Sequence, residues 1–474
     1  MTSFALSRRT LLKGAGATMM ASALPRNVMA ATANFPDGFI WGVATSAGQT
    51  ESREGRGRSN WDVFLDNKGS TADGTINQRN TEFQLRYVDE FKLLQNAGVN
   101  TYRFSFSWPR IQPETPGSPN MRAMSYYDRL VDSMLEHGLE PMPTLSHWET
   151  PLWAGDFLDR DITKRMGDFA DIMARLVGDR AKRWLMFNEP NALAAFGYGN
   201  GAFAPGYRSR EYLGAAIHHI NLAQGHMHAA VKSNLPNVKI SSAFNMQPVE
   251  APSGKEEDVK AARFMDVLWN EAMPGPAYGK GYPDIIVPMV EPYIRDGDLE
   301  TIAIMPDFFG ANFYTRGFVA NDPDSPLGTT MVAPPPDIEL TLEFPYDPDS
   351  YTKVLLDIHK KYGGPEILAT EFGFATKEEV PLQEFDEKMP KDLVINDPDR
   401  VRFMKGYITA ALEAYKQGVN LSGMMYWSST DNLEWTLGLA NRFGLIHIDQ
   451  TTQKRTPKKS LEYYASCIAL NGPA

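Results

Sequence analysis

The sequence predicts an α/β protein: a single closed (β/α)8 TIM barrel with long loops over its C-terminal face. Three observations carry that expectation. From Phe35 onward, eight short apolar runs alternate with helical patterns. Several of the runs are apolar throughout, as strands are when helices cover both faces of a parallel sheet. No glycine-rich phosphate turn follows the first run, which disfavours the doubly wound open sheet made from the same units.

The strand candidates are Phe39–Thr45, Thr101–Phe106, Pro141–Ser146, Arg183–Asn188, Val238–Phe244, Phe308–Tyr314, Glu366–Glu371 and Leu421–Trp427. Helices are expected at Glu82–Ala97, Ser125–His137, Thr163–Val177, Glu211–Lys232, Val259–Asn270, Tyr351–Tyr362 and Asp399–Gln417. In the first of these Phe83, Leu85, Tyr87, Val88, Phe91, Leu93 and Leu94 recur near helical spacing, and Gly98 stops it. Pro-, Gly- and Asp-rich stretches near 246–256, 273–283, 321–350 and 376–398 read as loops within one domain over residues 35–470. A barrel of this kind commonly runs from ~250 to over 400 residues as one domain, so the 474-residue length does not demand a second.

The N-terminus is different. Residues 1–33 hold Arg8, Arg9, Lys13 and Arg26 and no acid, then a short apolar run from Gly14 to Leu24, then small residues around Ala30. That order is a secretory signal, and the run falls short of the ~20 residues that span a bilayer. Ser7-Arg8-Arg9-Thr10-Leu11-Leu12-Lys13 resembles a twin-arginine signal, so residues 1–30 are expected to be a cleaved leader, with the mature chain in a bacterial periplasm or secreted. The net charge of −11 becomes −15 once those four cations go. Such acidity argues against a nucleic-acid partner, and no later segment reads as a membrane helix. The single cysteine, Cys467, allows no internal disulfide and reads as a packed side chain.

The polar residues cluster at strand ends, which face the active site in a barrel. Trp184-Leu185-Met186-Phe187-Asn188-Glu189 and Ile367-Leu368-Ala369-Thr370-Glu371 are both apolar runs that end in a carboxylate. Either Glu alone could merely cap its strand. Two in matching contexts can converge on one ligand, and an acid with a carboxylate is the equipment for cleaving a glycosidic bond. Arg103, alone in an apolar strand, requires a carboxylate partner. His147-Trp148, Asn312 with Tyr314, Trp427 and Glu434-Trp435 place amides and aromatic rings at other strand ends. Together they suit a sugar, which has apolar faces and a hydroxyl rim.

These motifs are similar to those of glycoside hydrolase family 1, the β-glucosidase family. The resemblance runs over about residues 35–465. It is carried by Phe39-Ile40-Trp41-Gly42-Val43-Ala44-Thr45-Ser46-Ala47, Tyr102-Arg103-Phe104-Ser105-Phe106-Ser107-Trp108-Pro109-Arg110-Ile111, Phe187-Asn188-Glu189-Pro190-Asn191, and Trp427-Ser428 through Asp431-Asn432-Leu433-Glu434-Trp435 to Arg442-Phe443-Gly444-Leu445. It implies a retaining exo-β-glycosidase needing no cofactor or metal, acting on a small β-glycoside or oligosaccharide. Glu189 would be the acid/base and Glu371 the nucleophile, with Arg103 and Tyr314 beside it. Gln49, His147, Asn188, Glu434 and Trp435 would hold the sugar over the floor of Trp427. Glucose is the expected sugar, with galactose or fucose, or a transglycosidase on the same site, as alternatives. A non-catalytic sugar-binding barrel is the reading from outside enzymology, disfavoured because both carboxylates are present. Glu434 and the lack of a cation in Thr436–Asn441 set the chain apart from phospho-β-glycosidases. The chain departs from the family pattern at Phe372 (usually Asn), at Gly48 (commonly aromatic), at Leu439 (often Tyr) and at Thr81–Gln84, which lacks histidines.

Overall fold

Parallel strands cannot be joined by tight turns, so each needs a crossover, and here helices supply it. The computed structural model describes residues 34–67, 69, 71–75, 79–341, 344–376, 378 and 394–474. Eight parallel strands close into a barrel. They are β1 (Ile40–Ala44), β2 (Thr101–Ser105), β3 (Glu140–Ser146), β4 (Arg183–Asn188), β5 (Lys239–Asn245), β6 (Phe309–Phe313), β7 (Ile367–Phe372) and β8 (Leu421–Trp427). The ring closes at β1, where Gly42 stands opposite Thr101 of β2 and Met425 of β8. Each strand lies within one residue of its sequence-predicted run at either end. The expected leader at 1–30, and most of the loop expected at 376–398, lie outside the described residues.

The longer helices are α1 (Phe83–Asn96), α2 (Met121–Glu136), α3 (Ile162–Val177), α4 (Arg210–Asn234), α5 (Glu256–Asn270), α6 (Pro348–Lys361), α7 (Pro398–Lys416) and α8 (Lys459–Leu470), with short helical turns in the loops between them. Phe83, Phe91 and Leu94 of α1 are buried, whereas Leu85 faces solvent. α2 starts earlier than predicted because the Asn120 side chain accepts from the Arg122 N–H at 3.0 Å and caps it. α8 is the one long described helix that sequence periodicity missed; its buried apolar set is the narrow stripe Leu461, Tyr464 and Cys467. No described helix is long and apolar enough to cross a membrane.

Two kinds of core hold the site. Met142, Leu185, Ala243, Phe308, Leu368 and Met425, each from or beside a different strand, pack together and plug the barrel interior. A larger shell packs the strands' outer faces against the helices. Period-two alternation starting from the inward Leu185 would send Asn188 outward, and starting from Leu368 it would send Glu371 outward. The pairing register slips between Leu185 and Asn188 and again between Ala369 and Phe372. These irregularities turn both side chains into the lumen. Phe372 in turn faces the helical shell, its ring edge-on to Tyr426 at 5.3 Å.

Candidate active site

The site is built around Arg103 of β2, which is wholly buried. A guanidinium cannot shed its charge, so its burial obliges every N–H to find an acceptor. Nε donates to Thr144 Oγ1 at 3.2 Å, Nη2 to Asn188 Oδ1 at 2.7 Å, and Nη1 to the Thr370 carbonyl at 3.1 Å. Nη1 also pairs with Glu371 Oε1, and the Tyr314 hydroxyl donates to the other carboxylate oxygen. Glu371 is therefore held on both oxygens by groups that favour its charged form.

Glu189 sits just past β4 with φ 43°, a left-handed backbone that costs a non-glycine residue about 1–3 kcal/mol. Trp148 (φ 74°) and Trp435 (φ 45°) share that conformation. Such strain survives only where the surroundings over-determine it. Glu189 Oε1 accepts from Asn312 at 2.9 Å and from Asn245 at 3.0 Å. Among the described residues no cation pairs with Glu189. Burial first, then the charge of Glu371, pushes its pKa up to about 8. Burial lifts Glu371 too, but Arg103's charge and the Tyr314 hydroxyl pull it back. The shared proton therefore belongs to Glu189.

The other predicted residues gather around this pair. Asn188, oriented by Arg103, offers its amide nitrogen to His147 Nε2 at 3.0 Å, which leaves the imidazole proton on Nδ1. Burial and the charge of Arg103 keep that ring neutral. Gln49 donates to the Leu433 carbonyl at 2.8 Å and to Glu434 Oε2 at 3.2 Å, and the Trp427 indole reaches the same oxygen at 3.3 Å. Burial pushes Glu434 up to about 8. Its side chain is only half-buried, however, so pocket water offsets part of that push. His147 stacks on Trp427 with centroids 5.6 Å apart, and Trp148 and Trp435 meet at 5.3 Å. The structure thus brings together all twelve residues singled out in the sequence.

Sequence reasoning missed several others. Asn245 touches Glu189, and its signal was its place: it ends its strand, as Asn188 ends β4 and Asn312 nearly ends β6. Trp61 lies against Trp435 at 4.1 Å but comes from a six-residue helix, Asn60–Leu65, too short for a periodic pattern to mark it. Gly48 now has a reason. A Cβ there would come within 2.7 Å of the Trp435 ring and 3.0 Å of Glu149, so only glycine lets both sit where they do. Phe372 points away from the lumen and packs in the shell beside Tyr426.

Glu378, Asp431 and His447 have ligand atoms close enough together to suggest a metal. Arg400, Arg442 and Lys458 pair with Glu378, and Lys458 also pairs with Asp431 at 2.7 Å. Those cations already balance the acids, so the donor set does not fit a divalent ion.

A closed parallel barrel with two buried carboxylates of unequal proton affinity, ringed by amides and indoles, defines a glycoside hydrolase. The family model "Glycosyl hydrolase family 1" matches residues 31–473, and the chain belongs to that family. It is 32% identical over 449 residues to β-glucosidase A of Thermotoga maritima, covering 92% of this chain and 98% of the relative. It is likewise 32% identical over 463 residues to a bifunctional β-D-glucosidase/β-D-fucosidase of Bifidobacterium breve, covering 92% of this chain and 98% of that one. The solved structure of the T. maritima β-glucosidase with glucoimidazole superimposes with a TM-score of 0.85 at 31% identity, covering 93% of this chain and 99% of that one.

Proposed function

We propose that this chain is an exported, retaining exo-β-glucosidase. The observation that carries the reading is the asymmetry of the two carboxylates: among the described residues, Arg103 and Tyr314 serve Glu371, while amides alone serve Glu189. Glu371, ionised, attacks the anomeric carbon as the C1–O bond to the aglycone breaks. Glu189 delivers its proton to the departing oxygen. The bond that forms joins Glu371 to the sugar and removes its negative charge. Glu189, now the lone carboxylate, takes a proton from water, and the hydroxide attacks C1 and releases Glu371. Glucose is favoured by the set Gln49, His147, Glu434 and Trp435, which offers hydrogen-bonding groups to several hydroxyls at once. The fucosidase activity in the name of the Bifidobacterium relative makes β-fucosides the second substrate to try. Export rests on the Ser7–Lys13 motif.

The test is azide rescue. Glu371→Ala should lose activity on all nitrophenyl β-glycosides, with azide restoring turnover to an α-glycosyl azide. Glu189→Ala should keep more activity on substrates with very good leaving groups, and azide should yield the β-azide. Swapped stereochemistry would overturn the roles, and inactivity on β-glucosides beside activity on another sugar would overturn the glycone.

A further inference from the structure

Two side-chain groups beside the carboxylates can only donate hydrogen bonds: the Arg103 guanidinium and the Trp269 indole N–H. They decide which end of each neighbouring amide faces Glu189. Trp269, in α5, donates to Asn245 at 3.3 Å, so the atom contacted is the carbonyl oxygen Oδ1. The Asn245 nitrogen is thereby turned to Glu189, 3.0 Å from Oε1. On the other side Arg103 donates to Asn188 at 2.7 Å, which makes that atom Oδ1. The Asn312 atom 3.0 Å from it is then Nδ2, which also lies 2.9 Å from Glu189 Oε1.

Two N–H donors thus converge on one oxygen of Glu189. The other, Oε2, takes no hydrogen bond from any described residue. A carboxyl oxygen that already accepts two N–H bonds is the carbonyl of the neutral acid, and the hydroxyl is its partner oxygen. Backbone contacts hold Asn245 in place as well: Asn191 donates to its carbonyl at 2.6 Å and accepts from its N–H at 3.3 Å. The charged groups facing Glu189 are Glu371 from β7 and Arg103 from β2.

We propose that Asn245, locked by Trp269, is a positioning residue that keeps Glu189 Oε1 as a fixed acceptor and confines the transferable proton to Oε2. This rests on the acid/base reading of Glu189. Both donors bond the ionised acid more strongly than the neutral one. Losing one of them should hold the proton more tightly, so the alkaline limb of the activity profile should move to higher pH.

The experiment compares pH profiles of kcat/KM for phenyl and 2,4-dinitrophenyl β-glucosides on the wild type, Asn245→Ala and Trp269→Phe. In the wild type the phenyl substrate, which needs a proton, should fall at high pH while the dinitrophenyl substrate does not follow it. If both substrates show the same alkaline limb, Glu189 is not the proton donor and the underlying reading fails. If they differ, Asn245→Ala should raise the phenyl limb by roughly half to one pH unit. Trp269→Phe, which removes only an N–H from the second layer, should raise it by less. A purely structural role would lower kcat at every pH and leave the limb in place. A limb that stays put or moves down in both variants overturns the proposal.

Discussion

Replacing Glu189 by Gln should stabilise the protein at neutral pH while abolishing acid catalysis, and the gain should grow with pH. In the folded chain the Glu189 pKa is lifted from 4.5 to about 8 by burial and by Glu371. A group whose folded pKa is raised contributes stability only below its unfolded pKa and loses it as pH climbs towards the folded value. At pH 7 the unfolded chain would ionise this acid freely, whereas the folded chain must hold it protonated. The interval from 4.5 to 7 is 2.5 units, which at about 1.36 kcal/mol per unit is about 3 kcal/mol. Glutamine has the shape of the neutral acid, its carbonyl accepts the same bonds from Asn245 and Asn312, and it never ionises. With roughly 2.1 cal/mol/K of unfolding entropy per residue over the barrel, the gain is about 3 °C in Tm at pH 7. The assay is thermal unfolding of wild type and Glu189→Gln from pH 4.5 to 8 at matched scan rates. The two should melt together at pH 4.5 and diverge as pH rises. A difference that is constant across pH, or a variant that melts lower at pH 7, would refute the linkage.

Glu434→Gln should lower kcat/KM on aryl β-glucosides by tenfold or more, since a hydrogen bond to a charged group is worth ~1.5–3 kcal/mol. β-Xylosides, which lack the O6 hydroxyl, should be penalised less, and an unchanged glucoside-to-xyloside ratio would sink the role given to this residue. For export, Arg8→Lys with Arg9→Lys should leave active precursor in the cytoplasm, as fractionation with an activity assay would show. Normal export of that variant would dismiss the twin-arginine assignment.

Much of this was legible in the sequence because a barrel sends its strand ends to one place. Glu189 and Glu371 stood out as carboxylates closing apolar runs, and Arg103 stood out because a cation within such a run must have a partner. What the runs could not disclose was direction. In strands apolar on both faces no alternation marks which side chains point inward, so the slips before Asn188 and Glu371 left no trace. Asn245 escaped because the predicted fifth strand ended one residue early, at Phe244, and put the amide into a loop. Trp61 reaches Trp435 from a six-residue helix too short to show a periodicity. α8 follows a small antiparallel pair, Ile446–Ile448 with Arg455–Pro457, that broke the strand–helix rhythm.

The two register slips also divide the strands into independent halves. Below each slip, Leu185 and Leu368 obey the spacing of the interior plug; above it, Asn188 and Glu371 obey the geometry of the ligand. Volume changes in the plug, such as Leu185→Met with a compensating change at Met142, need not rotate the reactive groups. Deleting one residue within 186–187 or 369–370 would remove the slip, and plain alternation would then place Asn188 and Glu371 two residues on from Leu185 and Leu368, still facing the lumen. For anyone redesigning this scaffold, the interior plug and the reactive strand ends can be altered separately.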